Sequence, residues 1–331
     1  MAHNGFEIAM LSLGRADSLL ATKWVEGVPT RVLIDGGRKG HAATIRAFLQ
    51  AHGVTSIDHV VCTHHDDDHA GGLVELIRGD DIQFGKAWVH VPERHVDRRD
   101  AEIALSQAAG SRKAQIAMKS LQTSDALLAA IEDRSVPLEE PFRGKRIGFL
   151  KVCGPTEEFY EELVADFKDA DKMKMSDLSE LILEAVLKSA SKDGLLESPP
   201  ARPENDSSVI LGTAYDDEIY LFTGDAGPRA LERAKDSFEI AGCTWMQLPH
   251  HGSRNNMTAS LVEHFAPQTA YVSAPGNDDH PHRAVVDAFK EAGTSVYSTH
   301  YPSDGHLYFS KGNVPDRPGI NGPATPLWDE D

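Results

Sequence analysis

Between Thr63 and Gly72 the sequence reads Thr-His-His-Asp-Asp-Asp-His-Ala-Gly-Gly, a run of ionisable side chains between a β-rich stretch and a helical one. His64, Asp66 and Asp68 stand two residues apart, so an extended loop would point them to one side, with His69 following where the chain turns. So many ionisable groups at the end of a buried strand would be costly unless cations neutralised them. Imidazole mixed with carboxylate suits Zn, Mn or Fe, whereas Ca, which takes oxygen ligands, fits poorly. Two distant segments offer matching ligand types. Asp225 follows the apolar run Glu218 to Phe222, and His250-His251 follow the run Thr244 to Leu248. Strand ends are where α/β sheets assemble ligands. A solvated acidic loop with incidental histidines is the bland reading of the first segment alone, and the recurrence at three strand ends weighs against it.

The elements that must position these groups are legible as apolar runs. Phe6 to Leu13, Ser18 to Trp24 and Thr30 to Ile34 read as meander strands, the third running into Asp35-Gly36-Gly37. Ala42 to His52 has helical spacing, Ile57 to Cys62 is strand-like, Gly71 to Ile77 helical and Lys86 to Val91 strand-like. A second α/β half follows, with strand-like runs at Arg146 to Val152, Ser208 to Leu211, Glu218 to Phe222, Thr244 to Leu248, Ala270 to Ser273 and Ser295 to Ser298, and helices at Pro228 to Ala234 and Arg283 to Ala292. Two segments rich in helix formers, at about 98–135 and 156–200, read as helical insertions. Residues 1–310 form the expected domain, and 311–331, Pro- and Gly-rich and acidic, read as a loosely held tail.

With 331 residues the chain can bury a sizeable core without staples. Its 33 Lys and Arg against 51 Asp and Glu give a formal charge of −18, which argues against broad, nonspecific duplex coating. Nucleic-acid chemistry would need local cations or bound metal. Cys62, Cys153 and Cys243 are odd in number and far apart, as in a reducing compartment. A basic leader and an apolar run of membrane length are both lacking, so the expectation is a cytoplasmic protein with no membrane partner.

His64-x-Asp66-x-Asp68-His69-x-Gly-Gly resembles the H-x-H-x-D-H-x-G-G motif of the metallo-β-lactamase superfamily, with Asp66 where the second His usually stands. That variant is similar to the metallo-β-lactamase domain of the competence protein ComEC family. Leu13-Gly14-Arg15-Ala16-Asp17-Ser18, Leu33-Ile34-Asp35-Gly36-Gly37, Asn205-Asp206-Ser207-Ser208-Val209, Thr223-Gly224-Asp225, His250-His251-Gly252-Ser253 and the segment 277–281 follow in family order. The resemblance covers about residues 6 to 90 and 203 to 310. It implies an α/β fold, the αββα sandwich of the metallo-β-lactamases, here with helical insertions, and two divalent ions, Zn or Mn. By position, His64 and Asp66 would hold one ion, Asp68, His69 and His250 the other, and Asp225 would bridge them. Asp35 would support the site from behind. The family's wider pattern has a His as third ligand of the first ion, and Asn205, a weaker ligand, stands there.

The remaining polar residues carry paired readings. His251 faces substrate or is simply a packed histidine, and His280 contacts the leaving group or serves its loop. Ser253 and Arg254 bind phosphate oxygens or remain surface groups, and Asp17 and Ser18 close a turn. His65, between ligand positions, should face away. The chemistry implied is metal-assisted hydrolysis, with Asp68 orienting the attacking water. The favoured substrate is a phosphodiester of DNA, RNA or a nucleotide, because the resembling domain is one thought to degrade DNA. An ester, lactone or thioester is the alternative, and a metal-stabilised sensor or scaffold the third reading. A protein partner or homo-oligomer contact through the helical insertions is also expected.

Overall fold

Alternation with a period of two sends the side chains of each strand into two different layers. The first sheet contains β1 (Asn4–Met10), β2 (Leu19–Val25), β3 (Val28–Ile34), β4 (Ser56–Val61), β5 (Gln83–Trp88) and β6 (Leu138–Glu139). The second contains β7 (Arg146–Ile147), β8 (Leu150–Gly154), β9 (Ile210–Tyr215), β10 (Glu218–Phe222), β11 (Trp245–Gln247), β12 (Thr269–Val272) and β13 (Ser295–Ser298). The last strand, β14 (Leu307–Asn313), returns to the first sheet, so the orders are β14-β1-β2-β3-β4-β5-β6 and β13-β12-β11-β10-β9-β8-β7. This is a computed structural model that describes residues 2–95, 112–165, 195, 201–237, 242–276, 280–301, 303–317, 320 and 325–328.

Phe6, Ile8 and Met10 of β1, Val32 and Ile34 of β3, Tyr220 and Phe222 of β10, Trp245 and Tyr271 fill the space between the sheets. Their strand neighbours point outward. Ala9, Leu33 and Val60 pack beneath α1 (Ala42–Ala51) and α2 (Asp67–Arg78) through Ile45, Leu49, Leu73 and Leu76. On the other side Ile219, Leu221, Met246 and Val272 pack with Leu231, Leu261, Val262, Val286 and Phe289, which lie on the helices Pro228–Ala234, Ala259–Phe265 and Arg283–Glu291. Each large apolar side chain removed from water in this way contributes roughly 1.5–3 kcal/mol. Helices, sheet, sheet and helices follow one another, the αββα sandwich expected from the motifs. Among the described residues no helix is long and apolar enough to cross a membrane.

The helix Arg112–Asp133, expected as part of an insertion, belongs to the outer layer, since Leu127, Ala130 and Ile131 are buried in the same cluster as α1 and α2. The helix Glu157–Ala165 likewise buries Phe159 and Leu163. Residues 96–111, 166–194 and 196–200 of these segments, and with them much of the expected partner surface, lie outside the described residues.

Described parts of the stretch read as a loosely held tail are tied into the fold. Residues Leu307–Asn313 pair antiparallel with the whole of β1, from Met10 opposite Leu307 to Asn4 opposite Asn313. Beyond them Arg317 Nε donates to Glu7 Oε2 at 2.9 Å, and buried Leu327 donates its N–H to Val296 O. β14 is mostly solvated on its outer face, so its sequence lacks the apolar alternation that marks the central strands. Glu7 also accepts from Trp24 Nε1 and Tyr308 Oη. Burial raises its carboxyl pKa, but the bonds from Arg317, Tyr308 and Trp24 outweigh this and hold it below its ordinary 4.5. Its stabilising contribution is therefore complete above pH 4.5 and fades as pH falls through the folded value. Glu7→Leu, which strands the mostly buried Arg317, should cost about 3 kcal/mol in urea unfolding at pH 7, and less at low pH.

Candidate metal centre

The strand ends meet at one edge because β3 and β4 run parallel, as do β10 and β11. The seam between the sheets is tied there by Val209 N to Thr63 O at 2.9 Å and by Gln247 Nε2 to Asp17 Oδ2 at 2.9 Å. His64 follows β4, and Asp66 sits at the N-terminus of α2 with Asp67, Asp68 and His69 in its first turn. Acidic side chains are favoured there by the helix dipole. Asp225 follows β10, and His250 and His251 follow β11.

Three histidines have their Nδ1 sides engaged and their Nε2 sides turned inward. His69 Nδ1 donates to Asp35 Oδ2 at 2.7 Å, and Asp35 is held by Thr63 N at 2.8 Å and Thr63 Oγ1 at 2.7 Å. His251 Nδ1 donates to Ser273 O at 2.9 Å, and His64 Nδ1 lies 3.2 Å from Thr63 Oγ1. The Nε2 atoms of His64, His69 and His251, and Asp225 Oδ1, are buried without a hydrogen bond. His69 Nε2 is 3.1 Å from Asp225 Oδ1, His64 Nε2 is 3.8 Å from Asp225 Oδ2, and His251 Nε2 is 4.0 Å from Asp68 Oδ2. Suitable donor atoms of Asp17, His69, Asp225 and His251 all lie within 4.8 Å of one another.

The charges call for a cation. Burial depresses the His69 pKa, yet Asp225 and Asp35 drive it well above its ordinary value, so a proton there does part of what an ion would do. Burial opposes ionisation of Asp225, and His69, His250 and His251 more than reverse that, holding it well below the carboxylate range. His251, where burial dominates, is pushed down to about 3 and presents a neutral ring. Asp17, fully buried, is pushed up to about 7 by that burial.

A family model described as the metallo-β-lactamase superfamily matches residues 24–151. The ComE operon protein 3 of Bacillus subtilis is 21% identical over 317 residues, 88% of this chain and 32% of that protein. Residues 24–151 thus carry the signature of the metallo-β-lactamase superfamily. The chain also matches the hydroxyacylglutathione hydrolase of Ectopseudomonas mendocina at 35% identity over 65 residues, 19% of this chain and 25% of that one. It thus spans about a third or less of the length of these relatives. Among solved structures, Zn(2+)-bound PqqB from Methylobacterium extorquens is similar at a TM-score of 0.44 and 12% identity, covering 92% of this chain and 99% of that one. The hydrolase AbOPH, described as in the beta lactamase superfamily, gives a TM-score of 0.37 and 16% identity over 96% of this chain and 80% of that one.

The metallo-β-lactamase fold implies a divalent ion, and the inward Nε2 atoms and orphaned carboxylate oxygen fit one: each ring is fixed from behind, leaving its other nitrogen to ligate. The geometry alters one assignment. His251, left open as a substrate-facing or packed residue, is the histidine beside Asp68, His69 and Asp225, whereas His250, expected as their partner, stands on the other side of Asp225, with Nε2 3.6 Å from Oδ2. The reason is the backbone. His250 and His251 both have positive φ, 49° and 53°, and are not extended, so adjacent side chains diverge about Asp225. His250 Nδ1 lies 2.9 Å from both Asn205 Nδ2 and Asn256 Oδ1. His251→Ala is expected to weaken Zn binding in titration calorimetry by more than about 100-fold, and His250→Ala by about 10-fold.

Asp17, read as a turn residue, stands behind the rings, 4.0 Å from His69 Nδ1 and 3.7 Å from His251 Nδ1. Its place within the motif Leu13-Gly14-Arg15-Ala16-Asp17-Ser18 was the available signal. Arg202 and Gln247 carried none. Arg202 Nη2 donates to Asp66 Oδ2 at 2.7 Å, and Arg38 Nη2 to Asp68 Oδ2 at 2.9 Å. His280 lies beside the cluster, with Nδ1 3.4 Å from Arg15 Nη1 and its ring 5.5 Å from that of His250. Buried Ser253 turns its hydroxyl to Asn255 N at 3.3 Å, and Arg254 follows it, half-buried. His65 is buried, bonds to the His90 backbone and feels His64 and Asp66 on one side and Asp125 on the other. Residues 277–279 lie outside the described residues.

Proposed function

We propose that the chain is a metal-dependent phosphodiesterase acting on a nucleotide or a short nucleic-acid segment. The observation that carries this reading is the pair of guanidinium groups at the edge of the cluster: Arg38, half-exposed beside Asp68, and Arg15 beside His280, in a protein of net charge −18. Guanidinium groups match the anionic oxygens of a phosphodiester, and a neutral lactone would not call for them. The family resemblance in the motifs points the same way.

A divalent ion, when bound by Asp68, His69, Asp225 and His251, would supply Lewis-acid stabilisation of charge developing on the attacked group. Asp35 keeps the His69 ring in the orientation and tautomer that ligation needs. Arg38 fixes the Asp68 carboxylate, whose place at the first turn of α2 suits it to orient the attacking water. Arg15 and His280, beside His250, would meet the leaving group.

Purified protein loaded with Mn or Zn should cleave at least one of single-stranded DNA, double-stranded DNA, RNA, cyclic nucleotides or a chromogenic phosphodiester, tested beside lactones and acylated thiols. Turnover of lactones or thioesters with no phosphodiester cleaved would overturn this reading in favour of the alternative. That alternative draws on the stretch similar to a hydroxyacylglutathione hydrolase.

A further inference from the structure

On the His64 side of Asp225, the groups available to complete a second ion site include His64, Asp66 and Asn205. Arg202 already engages two of them. Its Nη2 donates to Asp66 Oδ2 at 2.7 Å and to Asn205 Oδ1 at 2.9 Å. These are the oxygens an ion would need. Asp66 Oδ2 is the atom that faces His64 Nε2, at 3.8 Å, and the other end of the Asn205 amide, Nδ2, is 2.9 Å from His250 Nδ1. Asp66 sits at the N-terminus of α2, yet its carboxylate caps no helix N–H and goes to the guanidinium instead. The Arg202 and Asp66 side chains are only 26% and 13% exposed, so the pair is sheltered from solvent screening.

We infer that the Arg202 guanidinium occupies the first metal position, so that the centre takes one divalent ion, at Asp68, His69, Asp225 and His251, with Arg202 as the resident cation of the other half. The charge balance agrees. One guanidinium neutralises Asp66, and the neutral Asn205 amide adds no further negative charge to attract an ion. A divalent cation placed beside a fixed positive charge in a partly buried site would be repelled. Arginine suits this place because its planar group is always charged, weakly hydrated and able to donate to two acceptors at once. The two-ion expectation from the motifs is thereby reduced to one. The inference rests on the cluster being a metal centre and is independent of the substrate.

The full-length protein is stripped with chelator, saturated with Mn(II), gel-filtered, and analysed for Mn per chain and by electron paramagnetic resonance. One Mn per chain with the hyperfine pattern of an isolated ion is expected. Arg202→Met, which removes the charge and both hydrogen bonds but keeps an apolar stem, should raise the content to two with a spin-coupled signal, and Arg202→Lys should stay at one. Two tightly held ions in the natural protein, or a folded Arg202→Met protein that still holds one, would overturn the inference. Zero ions in the natural protein would remove the metal-centre reading and this inference together. One bound ion with no phosphodiester cleaved would overturn only the substrate assignment.

Discussion

Asp225→Ala is expected to remove bound metal and hydrolytic activity together. Its carboxylate reaches both halves of the cluster: Oδ1 is 3.1 Å from His69 Nε2, while Oδ2 is 3.8 Å from His64 Nε2 and 3.6 Å from His250 Nε2. Its backbone is fixed independently of its side chain, by Ser208 Oγ accepting from Asp225 N and by Asn256 Nδ2 donating to Asp225 O at 2.8 Å. The truncated variant should therefore keep its fold and lose its chemistry. Loss of a contact behind a ligand commonly costs 10- to 100-fold in affinity, so loss of this central carboxylate should cost more than about 100-fold. Hydrolysis should fall by about 1,000-fold or more, as when preorganised charge stabilisation is removed. Elemental analysis, circular dichroism and turnover on one sample check this. A folded variant with full metal content and activity would remove Asp225 from the centre.

Gly72→Ala should damage the fold more than any other small substitution considered. A Cβ at Gly72 would stand 1.8 Å from Gly36 O and 2.8 Å from Gly36 C, with Arg38 O at 3.0 Å. None of these is the yielding end of a side chain. They are backbone atoms of the turn after β3, which is itself bound to α2 by Gly36 N to His69 O at 2.8 Å and by Gly72 N to Gly37 O at 2.7 Å. Relief would require the first turn of α2 to leave the turn that carries Asp35, moving Asp68 and His69 with it. A cost above about 3 kcal/mol in urea unfolding is expected, at or beyond the upper end for overpacked sites, together with a loss of bound metal. Gly40→Ala, where a Cβ meets nothing within 4 Å, is the control and should stay within about 0.5 kcal/mol of the natural protein. Equal unfolding midpoints for Gly72→Ala and Gly40→Ala would contradict the close approach.

The central strands and their helices were legible because burial on both faces writes an apolar run into the sequence. β10 coincides with the run read at Glu218 to Phe222, and β13 with that at Ser295 to Ser298. Elements with one solvated face left weaker traces. β14 and the helix Ala259–Phe265 were not read, and the helix Arg112–Asp133 was assigned to an insertion although it covers the first sheet.

At the site, the sequence alone determined which chemistry was available: alternating His and Asp before a helix, an Asp and a His pair after two other strands, and a family order that joins them. Their local spacing is covalent, so it survives in any fold. Only the tertiary structure decided which of two adjacent histidines turns to His69, because that depends on left-handed backbone at His250 and His251, on the Ser273 carbonyl and on Pro281 packed against Gly252. It also decided that Asp17 backs the rings and that Arg202 reaches Asp66, a residue 136 positions away. Such pairings are made by the two sheets closing face to face, and no periodicity along one strand records which side chain waits across the seam.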